Sequence, residues 1–161
     1  MADDAEIEAK FWSELKSNPV LMIGLVGAQD AHAQPMTAFF EGEHGPVWFF
    51  TTRDNGLVEK LTQSHHAIAN YVAKGHGLFA TLHGRLTIDN DRATIDRLWN
   101  PHIAAWYEQG KDDPKLALLR LDPENAEIWL NGSSFGAAIK RLIGRDPKED
   151  YKGKVAEVSL A

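Results

Sequence analysis

The segment richest in usable chemistry is Phe49-Phe50-Thr51-Thr52-Arg53-Asp54, which closes a run of strand-forming residues and precedes a short helical stretch. Hydroxyls, backbone N–H groups and a helix start at one corner suit an anion such as phosphate. The same residues also describe an ordinary helix cap with two strand threonines, and the pattern alone leaves both readings open. The seven histidines, at 32, 44, 65, 66, 76, 83 and 102, contain no i, i+4 pair and no His-Glu-x-x-His run, so no metal site is assigned. Ser133-Ser134-Phe135-Gly136 is not a nucleophile elbow, and Gly24-Leu25-Val26-Gly27 follows a strand but opens no helix. Asp112-Asp113 precedes a proline and reads as a turn. With no cysteine, disulfides, thiolate ligands and cysteine nucleophiles are excluded together. No side chain is assigned as acid, base or nucleophile.

Composition narrows the class further. The 161 residues are 43% hydrophobic and 25% charged, as in ordinary globular proteins, and fit one domain over 1–161. Seventeen basic against 23 acidic residues leave a net charge of −6, with no basic run able to neutralise nucleic-acid phosphates. The acidic start, Met1 to Glu8, lacks the basic-then-apolar order of a secretory signal, and the apolar stretch 20–26 is too short for a bilayer. These features predict a cytoplasmic protein with neither nucleic-acid nor membrane partners.

The elements that must hold any site follow from periodicity. Ile7, Phe11 and Leu15 predict an amphipathic helix over about 3–17, stopped by Asn18-Pro19. Strands are expected at 20–26, 34–40, 47–52, 67–73, 78–88, 116–121 and 126–130, the last two joined by the turn Asp122-Pro123-Glu124-Asn125. Pro35 places the start of the second strand at an edge or bulge. Asp54 or Asn55 caps a short helix carrying Leu57, Val58 and Leu61, and Asp89-Asn90-Asp91 caps another carrying Ile95, Leu98 and Trp99. One more turn is expected at 103–107 after Asn100-Pro101, a last helix at 135–143, and a polar, loosely held tail over 145–161. Antiparallel hairpins without βαβ alternation give an α+β, mainly β class.

Six short motifs then carry a resemblance. Gln34-Pro35-Met36-Thr37, Trp48-Phe49-Phe50-Thr51-Thr52, Gly84-Arg85-Leu86, Leu98-Trp99-Asn100-Pro101, Gly110-Lys111-Asp112-Asp113-Pro114 and Ala126-Glu127-Ile128-Trp129 occur in the order seen in the general stress protein 26 group. The chain resembles that group of the pyridoxamine 5′-phosphate oxidase-like, FMN-binding split barrels over roughly 11–142. The resemblance implies a six-stranded antiparallel split β-barrel with flanking short helices, a homodimer with FMN at the subunit interface. It implies that Gln34, Pro35, Met36 and Thr37 run along the flavin. Phe50, Thr51 and Thr52 would approach its phosphate, and Trp129 would reach it from the other subunit. A tryptophan's flat face and single donor suit a heteroaromatic ring, although packing at a strand end uses the same features.

Three departures accompany the resemblance. Relatives commonly carry Arg where this chain has Gln34, and Lys near Leu57 at the phosphate end, leaving Arg53 and Lys60 as the nearest cations. The basic residues of a pyridoxal-phosphate oxidase substrate site are not evident where Asn131-Gly132-Ser133 follows Trp129, which argues against true pyridoxamine 5′-phosphate oxidase activity. The resemblance thus implies an FMN-dependent redox protein of unnamed substrate. The alternatives are a non-catalytic flavin carrier or stress-linked sensor, and a haem-binding split barrel with a histidine as axial ligand.

Overall fold

The computed structural model describes residues 3–27, 32–61, 63–131 and 155–160. Eight strands, β1 (Val20–Leu25), β2 (Gln34–Thr37), β3 (Phe39–Phe40), β4 (Val47–Thr52), β5 (Ser64–Val72), β6 (Leu78–Ile88), β7 (Leu116–Leu130) and β8 (Val155–Ser159), form one antiparallel sheet. Their order is β2-β1-β5-β6-β7-β4-β3, with β8 added on β7. Short helices α1 (Asp4–Ser17), α2 (Gly56–Glu59), α3 (Arg92–Leu98) and α4 (Pro101–Ala104) flank it.

The sheet nearly closes on itself because one stretch of chain changes partner. β2 pairs with β1, from Val20 opposite Thr37 to Ile23 opposite Gln34. After Ala38 alone, β3 pairs with β4, Phe39 opposite Trp48. Ala38 sits at the bend, its N–H donating to Pro19 O at 2.7 Å. The two ends of the strand path are thereby joined through one residue, giving a nearly closed barrel of seven strands where six were expected. Pro35 lies in β2, at the end of the path, where a missing donor costs least.

The expected turn at 122–125 does not form. β7 runs unbroken for 15 residues, and Pro123-Glu124 sits in a bulge where the register shifts between His83 and Gly84. Glu124 is the residue left outside the β6 ladder, and Pro123 beside it, opposite Gly84, is tolerated because the regular ladder is interrupted at the bulge. Gly84 is required opposite it, since a Cβ would lie 2.4 Å from Asp122 O. The expected helix at 135–143 lies outside the described residues. Part of the tail expected to be loose is β8, whose Ala156 and Val158 are buried against β7.

Two apolar regions result. Alternating inward residues of the barrel, including Leu21, Ile23, Phe49, Ala67, Ala69, Leu82, Leu86, Leu119 and Leu121, form the larger core with Ile7, Phe11, Trp12 and Leu15 of α1. α1 is set by a capping box between Asp3 and Glu6, and at its other end the Tyr71 hydroxyl reaches Glu14 O at 2.9 Å and Asn18 O at 3.0 Å. Burial raises the Tyr71 phenol pKa, helped by Glu14, so the proton stays in place at neutral pH. A second, more aromatic cluster of Trp48, Ile95, Ile103, Tyr107, Leu116 and Leu118 lies beneath α3 and α4, with Phe39, Phe50, Leu98 and Trp99 against it.

Candidate functional site

Three elements converge beside the second cluster. β4 delivers Phe50, Thr51 and Thr52 at its C-terminal half, held opposite Leu118, Ala117 and Leu116 of β7. The chain from Gln34 to Phe39 forms the facing wall. α4 supplies the third, because Asn100 caps it by accepting from Ile103 N at 2.9 Å and Pro101 presets its first turn. The result places His102, Ile103, Trp106 and Tyr107 along a cavity of about 480 Å³, inside the roughly 300–1,000 Å³ range of small-molecule sites.

The walls are flat and largely apolar. Phe50 meets Phe39 edge-on at 5.5 Å and Tyr107 at 6.5 Å between ring centroids. Trp106 is 83% exposed at this cavity, an unusual position for so large an apolar surface. The Tyr107 hydroxyl donates to Thr51 O at 2.6 Å. Burial, with the nearby Asp113 charge, pushes its pKa up to about 12. It is therefore a fixed neutral donor whose proton is directed at the backbone. The polar groups that remain are those of Gln34, Thr37, Thr51, Thr52, Asn55 and His102. Among the described residues lining the cavity there is no Lys, Arg, Asp or Glu.

Gln34, Pro35, Met36, Thr37, Phe50, Thr51 and Thr52, singled out from the sequence, are brought together here. Arg53, Leu57, Lys60 and Trp129 are not. Arg53 points along the surface, its Nε donating to Leu116 O at 3.4 Å. Lys60 is the exposed C-cap residue of α2. Leu57 is 1% exposed within the barrel core, which corrects the expectation that position 57 faces a phosphate. Its neighbours on α2 explain the error: Leu57 and Val58 form the buried face of a four-residue helix whose other residues face water. Trp129 is half-buried in β7 between Phe79 and Val155.

The anion corner also changes character. α2 is a single turn, so its dipole contributes little. Arg53 N donates to Lys115 O, Asn55 N to Thr52 O, and Leu57 N to Asn55 Oδ1. A hydrogen bond from the Thr52 hydroxyl holds the Asp54 carboxyl below its usual pKa, so a negative charge stands at this corner. These groups are arranged to cap a turn, the plainer of the two readings.

Sequence reasoning missed Phe39, Asn55, His102, Ile103, Trp106 and Tyr107 as site residues. A usable signal was present: 102, 103, 106 and 107 follow the i, i+1, i+4, i+5 spacing of one helical face directly after an Asn-Pro start. The other histidines are dispersed. His44 stacks on Trp12 at 5.5 Å, His65 Nε2 meets Val26 O at 2.9 Å, and His66 meets His83 at 3.3 Å. Among the described residues no three histidine or acidic side chains are grouped to hold a metal ion.

Comparison with known proteins agrees with this architecture. The model of the pyridoxamine 5′-phosphate oxidase-like family matches residues 6–151. General stress protein 26 of Bacillus subtilis is 25% identical over 138 residues, 84% of this chain and 96% of that protein. A general stress family protein from Xanthomonas campestris pv. campestris is 58% identical, with a TM-score of 0.78 over 83% of this chain and 93% of its own. The general stress FMN/FAD binding protein from Xanthomonas citri is 55% identical, with a TM-score of 0.76 over 81% of this chain and 92% of its own. The chain belongs to the pyridoxamine 5′-phosphate oxidase-like family, within its general stress protein 26 group.

Proposed function

We propose that this family member is a flavoprotein that binds FMN in the cavity between β2, β4 and α4, works as a homodimer and is redox-active. The observation that carries the reading is the flat-walled, uncharged cavity lined by Gln34–Thr37, Phe50–Thr52 and the α4 stripe. Its aromatic sides and few neutral polar groups suit a wide heteroaromatic ring. The 55% identical Xanthomonas citri relative described as FMN/FAD binding supports the same class of ligand.

The residues present fit the ring better than the phosphate. Gln34, Thr37 and Thr51 offer hydrogen-bonding groups along the wall, while Phe39, Phe50, Tyr107 and Trp106 supply area. A phosphate would rely on hydroxyls and on cations outside the lining set, Arg53 being adjacent in sequence. A bound flavin supplies hydride or electron transfer through its own ring; the protein binds, orients and shields it. Tyr107 keeps its proton on the Thr51 carbonyl and takes no part in acid–base chemistry at neutral pH. A pyridoxamine phosphate substrate would call for cations that the described lining lacks, so another substrate is favoured.

The dimer is supported by the outer face of the sheet. Val20, Met22 and Val72 are 42–50% exposed. Val72 heads a row in which Phe79, Trp129 and Val155 stand side by side across β5, β6, β7 and β8. A second chain on this face would cover that row, and Trp129 of one chain would serve the cavity of the other.

Purified protein should show the two-band visible absorption of oxidised flavin, directly or after FMN is added and excess removed. A Soret band instead would assign haem, with His102 as the cavity histidine, and no chromophore after reconstitution would refute the flavin reading. Oxidation of NADH or NADPH by the loaded protein would mark an enzyme; its absence with flavin bound would mark a carrier or sensor.

A further inference from the structure

Two side-chain amides at the cavity wall are locked in sequence. Asn55 Oδ1 lies 2.9 Å from the Leu57 backbone nitrogen, and Asn55 Nδ2 lies 2.7 Å from Gln34 Oε1. A backbone N–H can only donate, so the atom facing Leu57 must be the Asn55 oxygen. The other end of that amide is then the NH2 group, which requires an acceptor, and Gln34 must turn its oxygen toward it. With its oxygen engaged, Gln34 is left with its NH2 group to offer, and it lines the cavity half-buried.

We infer that Asn55 is a positioning residue that sets the polarity of Gln34, making the cavity wall at residue 34 a neutral hydrogen-bond donor. The site then selects flat heteroaromatic ligands that present a carbonyl oxygen or unprotonated ring nitrogen at that point. It rejects those presenting an N–H or amino group. The neighbours reinforce this. The hydroxyl proton of Tyr107 is directed at Thr51 O. Gln34 thus adds a donor of fixed polarity beside the rotatable hydroxyls of Thr37, Thr51 and Thr52. Applied to flavin, this inference rests on the function proposed above: the oxidised ring carries carbonyl oxygens and bare nitrogens and a single N–H, so a donor wall meets its acceptor-rich edge. The polarity lock itself follows from the helix cap and needs no ligand.

The test compares Asn55→Asp with Asn55→Ser, using riboflavin as the probe because it carries no phosphate to respond to added charge. Both residues are good helix caps, so a merely structural role leaves the two variants alike and close to wild type. The relay predicts otherwise. Aspartate accepts from Leu57 and offers Gln34 only oxygen, so Gln34 turns its NH2 group away from the cavity and riboflavin binding weakens by about 10- to 100-fold, the loss for an acceptor facing an acceptor. Serine leaves Gln34 free to donate and costs about threefold or less. Gln34→Glu should match Asn55→Asp while melting near wild type. Equal binding by Asn55→Asp and Asn55→Ser overturns the relay. If wild-type protein binds neither riboflavin nor FMN, the flavin reading fails, and the lock is read in the free protein by NMR. There, one Asn55 side-chain NH2 proton should exchange with solvent more slowly than either of Gln34, and the reverse order overturns it.

Discussion

The barrel interior and the cavity wall are built from opposite faces of the same strands, and they are packed to different ends. Inside the barrel, Phe49, Leu119 and Leu121 are fully buried among aliphatic neighbours. One residue further along β4, Phe50 is half-exposed on the cavity and meets aromatic rings edge-on. The second cluster also holds the Trp48 indole nitrogen, buried without a hydrogen-bond partner among the described residues, where an unmet donor costs about 1–3 kcal/mol. The interior side thus supplies stability, and the outer side keeps surface and polar groups available for a ligand. Strand alternation lets β4 serve both.

This division can be broken most severely at Leu57, which belongs to the interior despite its place beside the site. Leu57→Lys should destabilise the fold by about 4 kcal/mol or more, because a charge enters an apolar core without a partner. Urea unfolding checks this, and a stable variant with tightened FMN but unchanged riboflavin binding would return position 57 to the ligand. Phe49→Ala should cost about 3–5 kcal/mol of stability through the cavity it leaves.

On the ligand side the effects move from folding to binding. Trp129→Ala should weaken FMN by roughly 1–3 kcal/mol, as for a stacking or hot-spot contact, while shifting apo-protein stability less. Calorimetry with a parallel melting curve separates these; normal binding with early melting would make Trp129 a packing residue. Tyr107→Phe removes the donor to Thr51 O and should cost about 1–2 kcal/mol of stability.

The smallest effect is a response to acid in the helical layer. Asp91 is held below its usual pKa first by the Thr94 hydroxyl and then by the Thr94 N–H, and Asp113 by the N–H groups of Lys115 and Gln109. Their folded pKa values lie below the unfolded ones, so their stabilisation is complete above the unfolded value near ~3.9. It declines as pH falls through the folded values. Melting temperature should therefore be level between about pH 5 and 7 from this source and drop below about pH 4. Asp91→Asn, which caps without titrating, should reduce that drop.

The strands were legible because β-branched and aromatic runs mark them, whereas Gln34–Thr37 were singled out through the family resemblance and not by their own chemistry. The bulge at Pro123 was not, since turn chemistry and bulge chemistry use the same residues and only the opposing strand distinguishes them. Leu57 was misplaced because proximity in sequence to Thr52 says nothing about which face of a one-turn helix is buried. α4 was legible as a turn, yet its role needed the third dimension: Tyr107 meets the backbone of Thr51, 56 residues away.

A crystal structure with FMN soaked in decides whether the outer face of β4, with β2 and α4, holds the flavin ring. The ring should lie against Gln34–Thr37, Phe50–Thr52 and the His102–Tyr107 segment, with Gln34 donating to it. FMN seated elsewhere, such as the polar groove of His83, Glu127 and Glu157 on the sheet, would contradict this placement.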